Sequence, residues 1–224
     1  MVSGSFVLVL FLAYELGVRF GSGGDDLVWR TGLDAGLRLL LRQQGNAYLE
    51  WLPCVVVAVG LGVYCCLRRK DRPPEWLGTW AGMIVESFLV ALPLLAAARS
   101  LGADTITSVP PPGTKAQPKA ILWSSLGAGV YEEFVFRLVL VSFLTGIGKW
   151  LKLSLWLRLA LMLGVSSFVF ALAHHIPPFS EPYQREIFVF RVLAGAYFAM
   201  LYWLRGLGVA AGGHACYDIL ASVS

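Results

Sequence analysis

Long apolar segments separated by short polar ones restrict the fold of this chain more than any other feature of its sequence. Of its 224 residues, 57% are hydrophobic and 14% are Asp, Glu, Lys or Arg, whereas an ordinary soluble domain is roughly a quarter charged. This lack of charge excludes a soluble globule, and the high hydrophobicity excludes a disordered chain. Because one membrane span needs ~20 apolar residues, the sequence predicts an all-α fold, a polytopic membrane helical bundle with about seven (six to eight) transmembrane helices.

The apolar segments can be placed along the chain. The predicted spans cover residues 4–18, 47–67, 76–98, 120–144, 153–176, 187–204 and 207–223. Residues 25–43 instead combine leucines and charges at helical spacing, which is typical of an amphipathic helix at the membrane interface. We divide the chain into residues 1–75, with two spans, this helix and a basic loop, and residues 76–224, which hold the remaining spans.

The charged residues outside the spans indicate how the chain is oriented in the membrane, and they do not indicate a ligand. The net charge of +4 is small, and we explain it by membrane orientation and not by nucleic-acid binding. Because basic residues concentrate in the short loops of one side, the sequence predicts an N-terminus on the inner side of the membrane. A polar, proline-containing loop is predicted over residues 99–118.

Polar side chains inside spans are costly unless they face a protein interior or a cavity, so they indicate functional sites. The candidates are Glu15, Glu86, Glu132, Glu133, Arg137, His174, His175, Arg191, His214 and Asp218. Glu15 and Glu86 near span ends, and His175 at a helix end, also fit purely structural roles. The adjacent Glu132 and Glu133 do not, because one arginine in the same span balances only one of the two carboxylates.

Helical spacing sorts these candidates. Three pairs lie four residues apart, which places both members on one face of a helix: Glu133 with Arg137, Phe170 with His174, and His214 with Asp218. Glu132 lies about 100° around the helix from Glu133 and points elsewhere. Three spans therefore project polar side chains into the membrane, and helix bundles build their sites from facing helices in this way.

Several chemistries would use such a set. A glutamate in an apolar, partly wet cavity is suited to act as a general base, so Glu132 beside a histidine could take a proton from water. His214 and Asp218 could then stabilise an oxyanion during peptide or ester hydrolysis. Zinc held by two histidines and a glutamate is the alternative, although no H-E-x-x-H motif occurs. A serine nucleophile is disfavoured because no G-x-S-x-G motif occurs.

The ordered motifs Glu132-Glu133-x-x-x-Arg137, Phe170-x-x-x-His174 and His214-x-x-x-Asp218 resemble those of the CPBP family. This family includes CAAX prenyl proteases and bacteriocin-processing or Abi-type membrane proteins. The resemblance covers roughly residues 76–224. It implies an intramembrane glutamic endopeptidase that needs neither a metal nor another cofactor.

The resemblance also implies roles for individual residues. Glu132 and His174 would activate the water, and His214 with Asp218 would form the oxyanion site. Glu133 with Arg137, and Phe170 beneath the imidazole, would support them. The implied partners are the lipid bilayer and a peptide or protein substrate at the membrane: a C-terminal sorting signal, a leader peptide or a CAAX-like tail. The protein would lie in the cell membrane of a prokaryote, or in the endoplasmic reticulum membrane if it is a eukaryotic CAAX protease.

Asp218 departs from the CAAX proteases, which typically have asparagine at this position. An ionised aspartate only accepts hydrogen bonds. Asp218 is therefore either protonated, or it orients and charges His214 so that the histidine is the donor. Two other functions stay open: a catalytically silent CPBP-fold scaffold or immunity protein, and a proton- or ion-coupled transporter. The three motifs favour the protease.

Overall fold

The structure is a computed structural model, and it describes residues 2–22, 26–69, 75–103, 118–176 and 183–223. These residues form helices and turns and contain no β-strand, which confirms the all-α fold class. Most of the predicted loop over residues 99–118 lies outside the described residues.

The helices follow the predicted order of apolar segments. The first part of the chain, residues 1–75, contains α1 (Val2–Gly21), α2 (Asp26–Trp29), α3 (Gly32–Arg42), a 3-10 turn (Ala47–Trp51) and α4 (Leu52–Leu67). The second part begins with α5 (Trp76–Ser100). It also contains α6 (Pro118–Gly127), two π-helical segments (Ala128–Glu132 and Phe134–Val141), α7 (Ser142–Trp150), α8 (Leu155–Ala160), a third π-helical segment (Leu161–Val165), α9 (Ser166–Ala173), α10 (Arg185–Arg205) and α11 (Leu207–Val223).

Five helices of the described residues are long and apolar enough to cross a membrane. They are Val2–Gly21, Tyr48–Leu67, Trp76–Ser100, Leu155–Ala173 and Arg185–Arg205. The other two predicted spans, 120–144 and 207–223, are helical but lie outside this set. The first carries three charged side chains and two π-helical segments, and α11 has only 17 residues. A helical membrane bundle is thereby established, and its total number of spans stays a prediction.

Helix α11 lies at the centre of the bundle, where it packs along α5 and beside α1, α6 and α10. Small residues make this position possible. A Cβ atom at Gly208 would overlap the Met83 side chain of α5, and one at Gly212 would overlap Ser87. Small residues four apart allow helices to approach closely in a membrane. Gly208 and Gly212 therefore allow the close packing of α11 against α5.

Two helical hairpins bring distant polar residues to the same depth. In the first, the helix that ends at Trp150 turns back into the one that begins at Leu155. Glu132 lies 18 residues before Trp150, and His174 lies 19 residues after Leu155. Because residues at equal distances from a hairpin turn lie opposite each other, Glu132 meets His174 even though His174 is at the end of its helix.

The second hairpin joins α10 to α11 at Gly206, whose φ of 87° lies in the region that favours glycine. Phe198 and His214 each lie eight residues from Gly206. They stack with ring centroids 4.6 Å apart and planes 13° apart. The hairpin register therefore fixes one face of the His214 imidazole.

Helix α3 occupies the predicted amphipathic region but is oriented differently from an interfacial helix, whose charged face lies in water. Asp34 is fully buried and Arg38 is 5% exposed, whereas Leu37 is 37% and Leu40 50% exposed. The charged face thus points into the protein and the leucines point outward. This orientation is possible because the buried charges are paired with one another and with Glu15 of α1.

Candidate active site

A close approach of two helices positions the adjacent glutamates. The π-helical segment Ala128–Glu132 passes so near α11 that a Cβ atom at Gly129 would overlap the carbonyl oxygen of Ala211. Glu133, one residue past this segment, then reaches His214 on the same helix α11, with Glu133 Oε1 2.9 Å from His214 Nδ1. π-Helical turns are rare and are frequently found at functional sites.

Glu133 and Arg137 form the fully buried base of the site. The Oε2 atom of Glu133 lies 3.2 Å from Nε of Arg137, which confirms the predicted pairing on one helix face. The guanidinium of Arg137 also lies 5.0 Å from the centre of the Phe170 ring. Because both charged side chains have no exposure, Arg137 is needed to balance Glu133 while Glu133 holds Nδ1 of His214.

The other ring nitrogen of His214 faces the remaining carboxylates. Its Nε2 lies 3.9 Å from Oε2 of Glu132 and 3.8 Å from Oδ2 of Asp218. The stacked Phe198 ring and the bond to Glu133 fix the plane of the imidazole. His214 is therefore held on one side and presents Nε2 to a space bordered by two acidic side chains.

His174 has a defined orientation as well. Its Nδ1 lies 2.9 Å from the backbone oxygen of Phe170, and its ring lies 4.9 Å from the Phe170 ring. Since a carbonyl oxygen only accepts hydrogen bonds, Nδ1 carries the proton in this contact. In the neutral ring Nε2 is then the acceptor nitrogen, and this atom lies 3.7 Å from Oε2 of Glu132.

Exposure differs across the site. The side chains of His174 and Asp218 are 23% and 29% exposed, and that of Glu132 is 10% exposed. Glu133 and Arg137 are fully buried. The cluster is therefore closed at its ion pair and accessible at the side where His174 and Asp218 lie.

All seven site residues predicted from the sequence converge in this cluster. They are Glu132, Glu133, Arg137, Phe170, His174, His214 and Asp218. Among the residues that the structure describes, no group of three or more His, Cys, Asp or Glu side chains is arranged to hold a metal ion.

Sequence reasoning missed one contact to the cluster. The hydroxyl of Thr31, which is 5% exposed, donates to Oε1 of Glu132 over 3.4 Å. Thr31 directly precedes helix α3. In a sequence, a threonine at this position indicates only a helix N-cap, so nothing pointed to a site 101 residues away.

Three of the other intramembrane candidates contact different parts of the protein. These contacts are Glu15 with Arg30 at 3.1 Å, Glu86 with Arg205 at 2.5 Å, and the ring of His175 with that of Phe188 at 5.8 Å. Arg191 is buried on α10 beside the candidate active site, where its charge acts on Glu132 and Asp218. The structural roles considered for Glu15, Glu86 and His175 agree with these contacts.

Comparison with known proteins bears on the second part of the chain. Residues 115–220 match the family model described as type II CAAX prenyl endopeptidase Rce1-like. This range contains all seven predicted site residues and confirms the resemblance drawn from the motifs. Neither a curated protein nor a solved structure matches the chain.

Proposed function

We propose that this protein is a glutamic endopeptidase of the membrane. The premise is the match of residues 115–220 to the family model of Rce1-like type II CAAX prenyl endopeptidases. The coarser part of this proposal follows from the family and the apolar helices: the chain is a membrane-embedded peptidase that acts on membrane-associated peptides or proteins. The finer part concerns the residues that do the chemistry and the class of substrate.

The distance between Glu132 and His174 is the observation that carries the proposal. Glu132 Oε2 and His174 Nε2 lie 3.7 Å apart, which is too long for a direct hydrogen bond and suits two groups that share a water molecule. Among the described residues, Oε2 of Glu132 accepts no hydrogen bond. A shared water could donate one hydrogen to Oε2 and the other to the lone pair of Nε2, with its oxygen directed at a substrate.

The proton steps follow from this arrangement. Glu132 takes a proton from the water as the water oxygen bonds to the carbonyl carbon of the scissile peptide. The carbonyl oxygen becomes an oxyanion. When the carbon–nitrogen bond breaks, the protonated Glu132 delivers its proton to the leaving nitrogen. The products are a carboxyl group and an amine, and Glu132 is again ionised.

His214 is suited to stabilise the oxyanion. With Nδ1 bound to Glu133, the protonated ring has Nε2–H free to donate into the space beside Glu132. Asp218, 3.8 Å from Nε2, would stabilise the positive charge of that ring. Of the two roles open for Asp218, this geometry favours orienting and charging His214.

The substrate class follows from the family description and the open side of the site. A prenylated CAAX-like tail has a lipid anchor that keeps its scissile bond at the membrane, and the accessible side of the cluster lies between His174 and Asp218. We therefore propose such a tail as substrate. Leader peptides and C-terminal sorting signals are the alternatives that the experiment below distinguishes.

The test compares the parent protein with Glu132→Gln, both in proteoliposomes. The probes are internally quenched peptides: one ending in a farnesylated CAAX sequence, its unprenylated form, and a leader-type peptide. We expect the farnesylated peptide to be cleaved and Glu132→Gln to lower kcat by roughly 10²- to 10⁴-fold. Glu86→Gln is the matched control, because it makes the same change of side chain in another span. It should cleave the farnesylated peptide at the parent's rate.

Cleavage by a folded Glu132→Gln variant at the parent's rate would overturn the proposal. A folded parent that cleaves none of the peptides would instead support the silent scaffold. Metal removal separates the zinc alternative: activity that survives exhaustive chelation supports the metal-free mechanism, and loss restored by added zinc contradicts it.

A further inference from the structure

Thr31 stands where a helix-capping side chain normally lies but does not cap its helix. At the N-terminus of α8, Ser154 accepts a hydrogen bond from the Leu157 amide, as N-cap residues usually do. Thr31 has no such bond to α3. Its hydroxyl instead donates to Oε1 of Glu132. The Thr31 hydroxyl thus contacts the candidate active site, and the N-terminus of α3 lacks the capping hydrogen bond that this side chain could make.

The backbone of Thr31 is anchored independently of this contact. Its amide donates to Oη of Tyr14 over 3.3 Å, and Tyr14 Oη donates to Oδ2 of Asp34 over 2.8 Å. Asp34 also accepts from Nη1 of Arg30 at 2.6 Å and from Nε of Arg38 at 2.7 Å. The position of the Thr31 hydroxyl is therefore set by buried contacts within the first part of the chain.

We call Glu15, Arg30, Asp34 and Arg38 the N-terminal ion cluster. Burial acts to lower the pKa of both arginines, but the neighbouring acidic side chains, Asp34 most of all, together outweigh it, and both pKa values lie above the ordinary one. The arginines therefore stay charged and balance the two carboxylates. A neutral, hydrogen-bonded cluster of this kind is a rigid support for the residues beside it.

A second contact joins the N-terminal ion cluster to the segment that carries Glu132. Tyr131, the preceding residue, donates from Oη to Oε1 of Glu15 over 2.5 Å. The cluster thus holds the π-helical segment at Tyr131 while Thr31 holds the Glu132 side chain itself. Glu15 and Thr31, which make these two contacts, both precede the 115–220 family match, whereas Tyr131 and Glu132 lie within it.

We infer that Thr31 is a positioning residue for Glu132, an inference that rests on the proposed function. The two carboxylate oxygens of Glu132 have different partners: Oε1 accepts from Thr31, and Oε2 faces His174 and His214. Holding Oε1 fixes the rotation of the carboxylate and directs Oε2 towards the histidines. The 3.4 Å length of the bond is compatible with this role, since catalytic hydrogen bonds often tighten only when substrate binds.

The test uses Thr31→Val, which keeps the shape of the side chain and removes the donor, and Thr31→Ser, which keeps the donor. On the farnesylated CAAX peptide we expect Thr31→Val to lower kcat by about tenfold with KM changed by less than about twofold. Thr31→Ser should restore kcat to within about threefold of the parent. Thr79→Val is the matched control, because the Thr79 hydroxyl donates to the backbone oxygen of Glu75, the residue that precedes its helix.

The outcomes separate this inference from the proposed function. If Glu132→Gln is inactive while Thr31→Val has the parent's kcat, the positioning role is wrong and the glutamic mechanism stands. If Thr31→Ser loses as much kcat as Thr31→Val, the role is structural and the inference is again overturned. Activity retained by Glu132→Gln removes the proposed function itself.

A spectroscopic measurement tests the contact without any substrate. The carboxyl stretching band of Glu132 is identified by its disappearance in Glu132→Gln. We expect this infrared band to shift in Thr31→Val and to keep the parent's frequency in Thr79→Val. An unshifted band in Thr31→Val contradicts the inference.

Discussion

Two buried groups of charges lie side by side in this protein and differ in how completely their members are paired. In the N-terminal ion cluster, two arginines meet two carboxylates at distances from 2.6 to 3.3 Å. In the candidate active site, three carboxylates accompany Arg137 and two histidines, and the charge of the buried Arg191 also acts on Glu132 and Asp218. Glu133 lies 2.9 Å from His214 and 3.2 Å from Arg137, whereas Glu132 lies 3.7 and 3.9 Å from the two histidines.

We interpret the first cluster as stabilising and, under the proposed function, the second as reactive. Buried charges are tolerated when they are paired and hydrogen-bonded, and the N-terminal ion cluster meets that condition within the protein. The Glu132 half of the site leaves contacts that a water molecule and a peptide carbonyl can complete. The comparison predicts that substitutions in the first cluster reduce stability, and that substitutions at the reacting half of the second reduce catalysis.

The largest catalytic effect besides that of Glu132 is expected for His214→Ala. Removing the only proposed oxyanion donor should lower kcat by roughly 10³-fold, or about 4 kcal/mol, measured on the farnesylated CAAX peptide. His175→Ala is the matched control because the His175 ring packs against the rings of Phe188 and Tyr183. Equal losses in the two variants would contradict the oxyanion role of His214.

The N-terminal ion cluster is tested by Asp34→Asn. This substitution keeps the volume but leaves Arg30 and Arg38 with Glu15 as their only carboxylate in the cluster, and such loss of a buried partner costs about 3 kcal/mol or more. We expect a lower midpoint of thermal unfolding in detergent. Glu50→Gln, which changes the more exposed pair with Arg42, is the control. If both variants unfold like the parent, the cluster does not stabilise the fold.

Much of this arrangement was accessible from the sequence because it depends on helical periodicity. The spacing of four predicted that Glu133 meets Arg137 and that Phe170 meets His174, and both contacts are present. The apolar segments likewise predicted the order of the helices. These features are local, since each depends on residues within one helix.

The remaining features depend on packing between helices that are distant in sequence. Nothing near Thr31 indicated a contact with Glu132, and the charged face of α3 was expected to lie in water rather than against α1. The π-helical geometry around Glu132 also changes hydrogen-bond register without a sequence signal of its own. The contacts of Thr31 with Glu132 and of Glu15 with Tyr131, which join the two buried clusters, arise only when the helices pack together.

A smaller effect is expected for Asp218→Asn, which distinguishes the two roles open for this residue. If Asp218 stabilises the protonated ring of His214, the neutral amide should lower kcat by about three- to tenfold. The measurement is kcat on the farnesylated peptide, together with the midpoint of thermal unfolding, which should equal that of the parent. If the amide instead maintains or increases kcat, Asp218 acts as a protonated donor that asparagine can replace.

The smallest effect is expected at the ion pair between Glu86 and Arg205, which joins α5 to the end of α10. Its distance of 2.5 Å is shorter than the contacts of Glu132, yet the Arg205 side chain is 57% exposed. Exposed pairs contribute about 0–1 kcal/mol because solvent screens them and holding two long side chains costs entropy. Glu86→Gln should therefore shift the unfolding midpoint much less than Asp34→Asn does. An equal shift in the two variants would show that burial does not distinguish these ion pairs, and the contrast between buried and exposed charges would have to be abandoned.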